Sequence, residues 1–270
     1  MYKEYLPCNI LSPYIDKYWE YKGHPEYGTK ISIPPYGCAD FVFTLGEAVD
    51  DINNNLKMQP FRSYFVGPMN THTELVTLAG SVHVFGIRFL PCGLYRFMGL
   101  SLDELLNHRC NASDLTNIFD NSFIERLCNQ HDFQKLIGII NEFLISQLNK
   151  HNPQIDRKIL FAVDKINREK GMLSIHSLMT DICLCQRHFE RKFKIYTGYS
   201  PKEYSRIVKF WNAIDLLRNT SYDNLLSTAV LAGYYDVPHL SREIKRLSGN
   251  SPSSFLMLPS KIDTRIYFES

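Results

Sequence analysis

Two short stretches in the C-terminal half carry side chains of the kinds that contact the edges of nucleic-acid bases. The first stretch contains Gln186, Arg187, Glu190 and Arg191. The second contains Pro238, His239, Ser241 and Arg242. In the major groove of DNA, Arg donates two hydrogen bonds to guanine, and Gln or His supplies further contacts with base edges. The residue types therefore indicate a DNA-binding surface, with an ordinary solvated helix face as the alternative for either stretch taken alone.

The two stretches belong to an internal repeat. Residues 188–204 align with residues 239–255 at a constant offset of 51 and without a gap. Identical residues in the two copies are His188 and His239, Arg191 and Arg242, Lys194 and Lys245, Gly198 and Gly249, Ser200 and Ser251, and Pro201 and Pro252. Similarity of this quality indicates two copies of one supersecondary unit, and the Arg retained in both copies favours DNA over a solvated face.

Each copy is predicted to be a short helix, a tight turn and a second helix. In the first copy Ser174 caps a helix that ends at about Ile182, and the second helix covers 186–197. In the second copy Asn224 caps a helix that ends at Ala232, and the second helix covers 237–248. A Gly just past each second helix, at 198 and 249, suits a left-handed C-terminal cap. This order of elements is the helix-turn-helix arrangement.

A continuous helical pattern from Pro201 to about Asn219 joins the two units. At a rise of 1.5 Å per residue it spans roughly 28 Å. Successive major-groove faces lie about 34 Å apart. The spacer is therefore long enough to present both second helices to neighbouring turns of one DNA face.

The stretch from about 155 to 258 resembles the DNA-binding domain of AraC/XylS-type transcription regulators. The residues that carry this resemblance are Ala229, Gly233-Tyr234, the helix 237–248, Gly249 and Ser251-Pro252. The resemblance implies a sequence-specific transcription regulator whose two recognition helices enter successive major-groove faces. The groove-facing positions that it implies are Gln186, Arg187, Glu190, Arg191, Val237, Pro238, His239 and Arg242.

The chain departs from that family at two places. Cys183 and Cys185 stand in the first turn where the family usually has Gly and Ser, and a non-Gly residue in a left-handed turn costs about 1 kcal/mol. Val237 and Pro238 replace residues that could hydrogen-bond to bases. We therefore expect helix 186–197 to recognise most of the DNA sequence. Helix 237–248 would contribute Arg242, His239 and phosphate contacts.

The first hundred residues have the composition of short strands. Segments rich in β-branched and aromatic residues occur at 31–33, 40–45, 63–66, 74–78 and 82–89, separated by turn signals that include Asp50–Asn55. No segment between them is long enough for a helical crossover, so antiparallel pairing in a sandwich or barrel is predicted. Helical patterns follow, first with Ser101 as an N-cap and then over 132–149.

These patterns predict an α+β chain of two domains. A β-rich sandwich or barrel-like regulatory domain with trailing helices covers 1–152, an all-α double helix-turn-helix domain covers 153–260, and 261–270 is a short tail. The boundary is placed at His151-Asn152-Pro153. The front half resembles an uncharacterised domain that is often fused to this DNA-binding domain, through segments such as Val66-Gly67-Pro68 and Gly86–Gly93. That resemblance implies a sensing or dimerisation module.

Composition sets broad limits on function. The chain has 270 residues, of which 44% are hydrophobic and 21% charged, as is typical of a folded protein. Residues 1–154 hold 12 Lys and Arg against 16 Asp and Glu, whereas 155–270 hold 18 against 12, so the back half favours an anionic partner. Seven scattered cysteines, no secretory signal and no long apolar run predict a cytoplasmic protein with reduced thiols and no membrane partner. The resemblance to AraC/XylS-type regulators implies a bacterial origin.

Three alternative functions come from other features. An enzyme is disfavoured because the common catalytic motifs are absent, although Asp40, His72, His83 and Arg88 could converge in a front-half pocket. A metal or thiol sensor would use Cys183-x-Cys185 with Cys38 and Cys92, but one C-x-C falls short of a zinc site. A front domain that encloses a small molecule is compatible with regulation.

The predicted partners follow from this interpretation. They are double-stranded DNA at a promoter or operator, a small-molecule effector, RNA polymerase and a second copy of the chain. The apolar stripe of helix 132–149 could support dimerisation or could instead cover the core of its own domain. No catalytic residue, metal site or cofactor is predicted.

Overall fold

A β-sheet domain precedes a helical domain, as the sequence predicts. A computed structural model describes the chain over residues 2–26, 28–46, 49–51, 56–77, 81–116, 118–130, 132–150, 153–219, 225–256 and 267–269. The predicted boundary residues 151 and 152 lie outside this description. Within it, no helix combines the length and apolar character that a membrane span requires.

Two antiparallel sheets face each other in the N-terminal domain. The first sheet has the spatial order β1 (Tyr2–Tyr5), β2 (Ile15–Gly23), β9 (Val82–Phe89), β4 (Ala39–Thr44), β7 (Arg62–Val66) and β10 (Arg109–Asn111). The second sheet has the order β11 (Tyr267–Glu269), β3 (Lys30–Ile33), β8 (Thr73–Thr77), β5 (Val49–Asp51) and β6 (Leu56–Met58). The antiparallel sandwich is therefore confirmed.

Alternating side chains of the first sheet serve two different cores. Phe41, Phe43 and Phe85 point to the outer face, where helices cover them. Val42 and Val84, one residue along in each strand, point to the inner face and pack towards the second sheet. This period of two is what a strand buried on both faces requires.

Helices trail the sheets and cover the outer face. They are α1 (Gly93–Met98), a 3-10 turn at Leu102–Leu105, α2 (Ala112–Leu115), α3 (Asn121–Cys128) and α4 (Phe133–Lys150). The apolar stripe of α4, which includes Leu136, Ile140 and Leu144, packs into the core of its own domain. Of the two alternatives left open by the sequence, the stripe is therefore intramolecular core, which removes the argument for dimerisation through it.

The C-terminal domain contains two small cores built on one shared helix. Its helices are α5 (Arg157–Arg168), α6 (Ile175–Ile182), α7 (Gln186–Thr197), α8 (Pro201–Asn219), α9 (Leu225–Leu231), α10 (Val237–Ser248) and α11 (Pro252–Leu256). Phe189 and Phe193 of α7 lie in the first core, and Leu240 and Ile244 of α10 lie in the second. Trp211 of α8 packs against both cores, so α8 fixes the two units to each other.

Several local expectations are wrong. Asp50 and Asp51 belong to strand β5 and not to a turn, because the strand pairs with β6 and β8. Ser101 precedes the 3-10 turn but makes no capping hydrogen bond, since its hydroxyl donates to Asp103 instead. The sequence analysis did not predict strands β1, β2, β5, β6, β10 and β11. The Asn224 cap and position 78 lie outside the described residues.

The C-terminal tail has a structural role that the sequence did not indicate. Strand β11 pairs with β3 of the N-terminal domain, with Tyr267 opposite Ser32 and Glu269 opposite Lys30. The chain therefore returns to its first domain after completing the second. This strand covers an edge of the second sheet that would otherwise expose unpaired backbone groups.

Candidate nucleic-acid interface

The first helix-turn-helix unit consists of α6, the turn 183–185 and α7. Ser174 caps α6 as predicted, with its hydroxyl accepting from the backbone N–H of Ser177 at 3.0 Å. Cys183 is left-handed with φ of 50°, and Cys185 occupies the N-cap of α7 without a side-chain hydrogen bond. The unit therefore folds with both departures from the family pattern in place, at a local cost of about 1 kcal/mol for Cys183.

The exposed face of α7 holds the predicted groove-facing residues together. Gln186, Arg187 and Arg191 are exposed, and Glu190 is half-buried. The Gln186 amide donates to Glu190 Oε1 at 2.8 Å, one helical turn away. This pairing orders two of the four side chains and leaves the guanidinium groups of Arg187 and Arg191 directed away from the first core.

The corresponding face of α10 is less polar. Arg242 and Pro238 are exposed, whereas His239 is half-buried with its ring edge-on to Tyr234 at a centroid distance of 5.3 Å. Val237 packs against the second core. Asp236 caps the helix by accepting from the His239 backbone N–H at 2.7 Å. Arg242 is the residue of this set that combines exposure with bidentate donor geometry.

Helix α8 positions the second unit through polar contacts as well as packing. Arg206 Nε donates to Glu243 Oε2 at 2.8 Å, which joins α8 to α10. The Lys209 ammonium lies 4.4 Å from the centroid of the Tyr234 ring and donates to the Gly233 carbonyl. Burial lowers the pKa of Lys209. These contacts fix the turn and the second helix of the unit relative to the spacer.

An ion pair positions the first unit in the same way. Lys192 of α7 donates to Asp156 at 2.7 Å, and Asp156 also accepts from the Lys158 backbone N–H as the N-cap of α5. The hydrogen bond from Lys192 is the largest effect that lowers the pKa of Asp156. Helix α5, which the sequence analysis did not delimit, is thus attached to α7.

The N-terminal domain contacts the C-terminal ends of both α7 and α10. Just after α7, the Tyr199 hydroxyl accepts from the Met69 backbone N–H at 2.8 Å and donates to its carbonyl at 3.0 Å. At the end of α10, the Ser248 carbonyl accepts from the Ser32 hydroxyl at 2.9 Å. The predicted groove-facing residues lie in the opposite, N-terminal halves of the two helices.

The four residues predicted to converge in a front-half pocket do so only in part. Arg88 and Asp40 form a buried pair, with Nη2 donating to Oδ2 at 2.8 Å. His83 instead contacts Glu20 at 2.8 Å, and His72 contacts the Arg246 carbonyl at 3.3 Å. In the ranges described, no group of three or more His, Cys, Asp or Glu side chains could hold a metal ion.

Comparison with known proteins divides the chain in the same way. A helix-turn-helix domain matches residues 178–257, and a domain of unknown function, DUF6597, matches residues 3–111. No curated protein sequence matches the chain.

Among solved structures, ToxT from Vibrio cholerae O395 is 10% identical, with 91% of this chain and 99% of that chain covered and a TM-score of 0.51. ToxT with a bound unsaturated fatty acid, from Vibrio cholerae strain SCE256, is 13% identical over 91% and 96% of the two chains, with a TM-score of 0.50. ToxT from strain O395 bound to (E)-4-(8-methylnaphthalen-1-yl)but-3-enoic acid is 10% identical over 88% and 98%, with a TM-score of 0.51. At these identities the likeness is one of fold.

Proposed function

We propose that this chain is an AraC-type DNA-binding transcription regulator. Its two helix-turn-helix units bind one operator by placing the N-terminal halves of α7 and α10 in successive major-groove faces. The observation that carries the proposal is the pair of equivalent arginines, Arg191 and Arg242. Both are exposed at the same position of their helices, and both helices pack on the single spacer helix α8. Arginine at such positions binds guanine bidentately.

The two units are expected to contribute unequally. In the first, Gln186, Arg187, Glu190 and Arg191 supply amide, guanidinium and carboxylate groups to base edges. In the second, the sequence-predicted set is Val237, Pro238, His239 and Arg242. Because Val237 packs on the second core and the His239 ring contacts Tyr234, we expect Arg242 to carry most of the specificity of this unit.

The N-terminal domain is proposed to control the response to an effector or the association of two copies. A cavity between its two sheets, lined by residues that include Val42, Leu75 and Val84, and its contacts with the ends of α7 and α10 support the first role. Two of the similar ToxT structures hold carboxylic acids, a fatty acid and a naphthalenyl butenoic acid. In this proposal the regulatory domain covers 1–152, the DNA-binding domain covers 153–260, and a tail covers 261–270. The protein acts in the bacterial cytoplasm, where its DNA target is found. Contact with RNA polymerase belongs to the same proposal.

Selection of bound sequences from random duplex DNA tests the proposed recognition. The full chain is compared with Arg191→Ala and Arg242→Ala, and each loss should relax specificity at separate positions about one helical turn apart. Lys194→Ala and Arg246→Ala are matched controls, because they remove the same charge from the exposed C-terminal ends of the same helices. A motif that the control variants change as much as the test variants do would contradict the assignment of the groove-facing residues.

A further inference from the structure

One short segment of the N-terminal domain contacts the ends of both α7 and α10. This bridging segment, residues 67–72, connects β7 to β8. At its first contact Pro68 lies against Gly198, where a Cβ would come within 2.5 Å of Pro68 Cγ. At its second contact His72 lies against Gly249, where a Cβ would come within 3.0 Å of His72 Nε2. The two glycines are equivalent positions of the repeat, and each ends its helix in the left-handed conformation.

Hydrogen bonds reinforce both contacts. At the first, the Tyr199 hydroxyl bonds to the backbone N–H and carbonyl of Met69, at 2.8 and 3.0 Å. At the second, His72 Nδ1 contacts the carbonyl of Arg246 at 3.3 Å. Arg246 belongs to the last turn of α10, where the carbonyls have no partner within the helix. The bridging segment therefore supplies a polar partner at the end of one unit and a buried one at the end of the other.

The bridging segment is itself fixed by Asn107 and His108. The His108 carbonyl accepts from the Gly67 N–H at 2.9 Å, and the Pro68 carbonyl accepts from the Asn107 N–H at 2.6 Å. The Asn107 side chain accepts from the Asn70 backbone N–H at 3.0 Å and donates to the Asn70 side chain at 2.9 Å. The two contact points are four residues apart, which is at most about 14 Å of extended chain. A short, hydrogen-bonded segment thus joins the two helix ends.

Small rotations of either unit would change its register on DNA. The groove-facing residues begin about ten residues, or about 15 Å, from the glycine at the end of each helix. A rotation of about 13° about that end moves them by about 3.4 Å, which is the rise of one base pair. The two units have separate cores that are linked through α8. A second connection between the helix ends therefore restricts the rotations that α8 alone would allow.

We propose that the bridging segment is a positioning element for DNA recognition. It fixes α7 and α10 relative to each other and thereby sets the number of base pairs that the chain accepts between its two half-sites. Pro68 and His72 are the residues through which it acts. The inference rests on the proposed binding of both helices to one operator, and it adds a specificity for spacing that the groove-facing residues do not provide.

Binding to duplexes with altered spacing tests this role in the full-length protein. The operator obtained by sequence selection is compared with duplexes that have one or two base pairs added or removed between the positions contacted by Arg191 and Arg242. A shift of one base pair moves one of these arginines away from its guanine. The parent protein should therefore bind its preferred spacing about tenfold or more tightly than either neighbouring spacing.

Two variants loosen the bridge without altering the DNA-binding domain. Ser32→Ala combined with His72→Ala removes the side chains that reach the end of α10. Asn107→Gly removes two hydrogen bonds that hold the bridging segment, while glycine retains the left-handed backbone, whose φ is 58°. Each variant should lower the preference for one spacing to about threefold or less, with affinity at that spacing within about twofold of the parent's. The matched control, Ser146→Ala combined with His108→Ala, changes the same residue types at exposed positions and should keep the parent's preference.

A distance measurement without DNA separates this inference from the proposed DNA recognition. Spin-labelled amino acids at positions 191 and 242, which are exposed and equivalent in the two helices, report the separation of α7 and α10 by double electron–electron resonance. We expect one narrow distance distribution in the parent and in the control, and a broader one in both loosened variants.

Several outcomes would overturn the inference. They are distance distributions in the variants that are as narrow as the parent's, an unchanged spacing preference, and tighter binding at every spacing, which would mean that the segment opposes binding. An equal loss of affinity at every spacing would also overturn it, because a merely stabilising contact gives that result. A sequence selection that yields no two-part motif would instead refute the proposed function, and the distance measurement would still decide whether the segment fixes the two helices.

Discussion

The contact between Tyr199 and Met69 gives a quantitative test of whether the two domains unfold together. The Tyr199 hydroxyl is fully buried and makes two hydrogen bonds with the Met69 backbone, at 2.8 and 3.0 Å. Tyr199→Phe removes one atom and leaves a buried N–H and a buried C=O without partners. Each loss costs about 1–3 kcal/mol, so we expect the free energy of unfolding to fall by about 2–6 kcal/mol.

Equilibrium unfolding in urea, followed by circular dichroism and by tryptophan fluorescence, measures this loss. The matched control is Tyr235→Phe, the same chemical change at a side chain that is 90% exposed, and it should stay within about 0.5 kcal/mol of the parent. If the domains separate before either unfolds, the variant should show two transitions where the parent shows one. Equal stabilities of the Tyr199 and Tyr235 variants would refute the reasoning, because the interdomain hydrogen bonds would then contribute nothing to the folded state.

Four further predictions concern helix ends and pH. Cys185→Ser supplies the missing N-cap hydrogen bond of α7 and should stabilise the protein by about 0.5–1 kcal/mol in urea unfolding. An unchanged free energy of unfolding would mean that this cap does not contribute to stability. Cys183→Gly relieves a φ of 50° and should add about 1 kcal/mol by the same assay, whereas a loss would contradict the strain. Asp236→Ala removes the cap of α10 and should cost about 1 kcal/mol in unfolding and weaken operator binding in gel shifts. The pKa of Asp156 is lowered chiefly by the Lys192 hydrogen bond, so its contribution to stability is present above about pH 4 and is lost as pH falls through the depressed pKa of the folded state. In Asp156→Asn the free energy of unfolding should therefore fall less steeply as the pH is lowered below about 4. An unchanged pH dependence in that range would contradict the assignment.

Helix α4 illustrates what a periodic pattern leaves undecided. The spacing of Leu136, Ile140 and Leu144 correctly predicts a helix with one apolar face, because helical period is a property of the segment itself. The same spacing is compatible with packing on a second copy or on the chain's own sheet. The contact with Phe43 and Phe85 in one core settles that choice, and it depends on strands far away in the sequence.

The strands were predicted less completely for a related physical reason. The segments at β3, β4, β7, β8 and β9 carry β-branched and aromatic residues between turn signals. Strand β2, which contains Lys17 and Glu20 among its aromatic residues, has a mixed composition, and its strand form follows from pairing with β9. Strand propensity depends on such neighbours more than helix propensity does.

The sequence by itself determined the architecture of the DNA-binding half. Caps at Ser174, Gly198 and Gly249, the repeated arginine and the length of α8 are local signals, and a helix closes its hydrogen bonds within its own segment. Only the tertiary structure decided the cavity, the Asp40–Arg88 pair, the stacking of Tyr36 on Trp211 and the return of strand β11 to β3. Each of these features joins residues that are distant along the chain. Sheet pairing and domain packing bring such residues together, and neither can be predicted from a single segment.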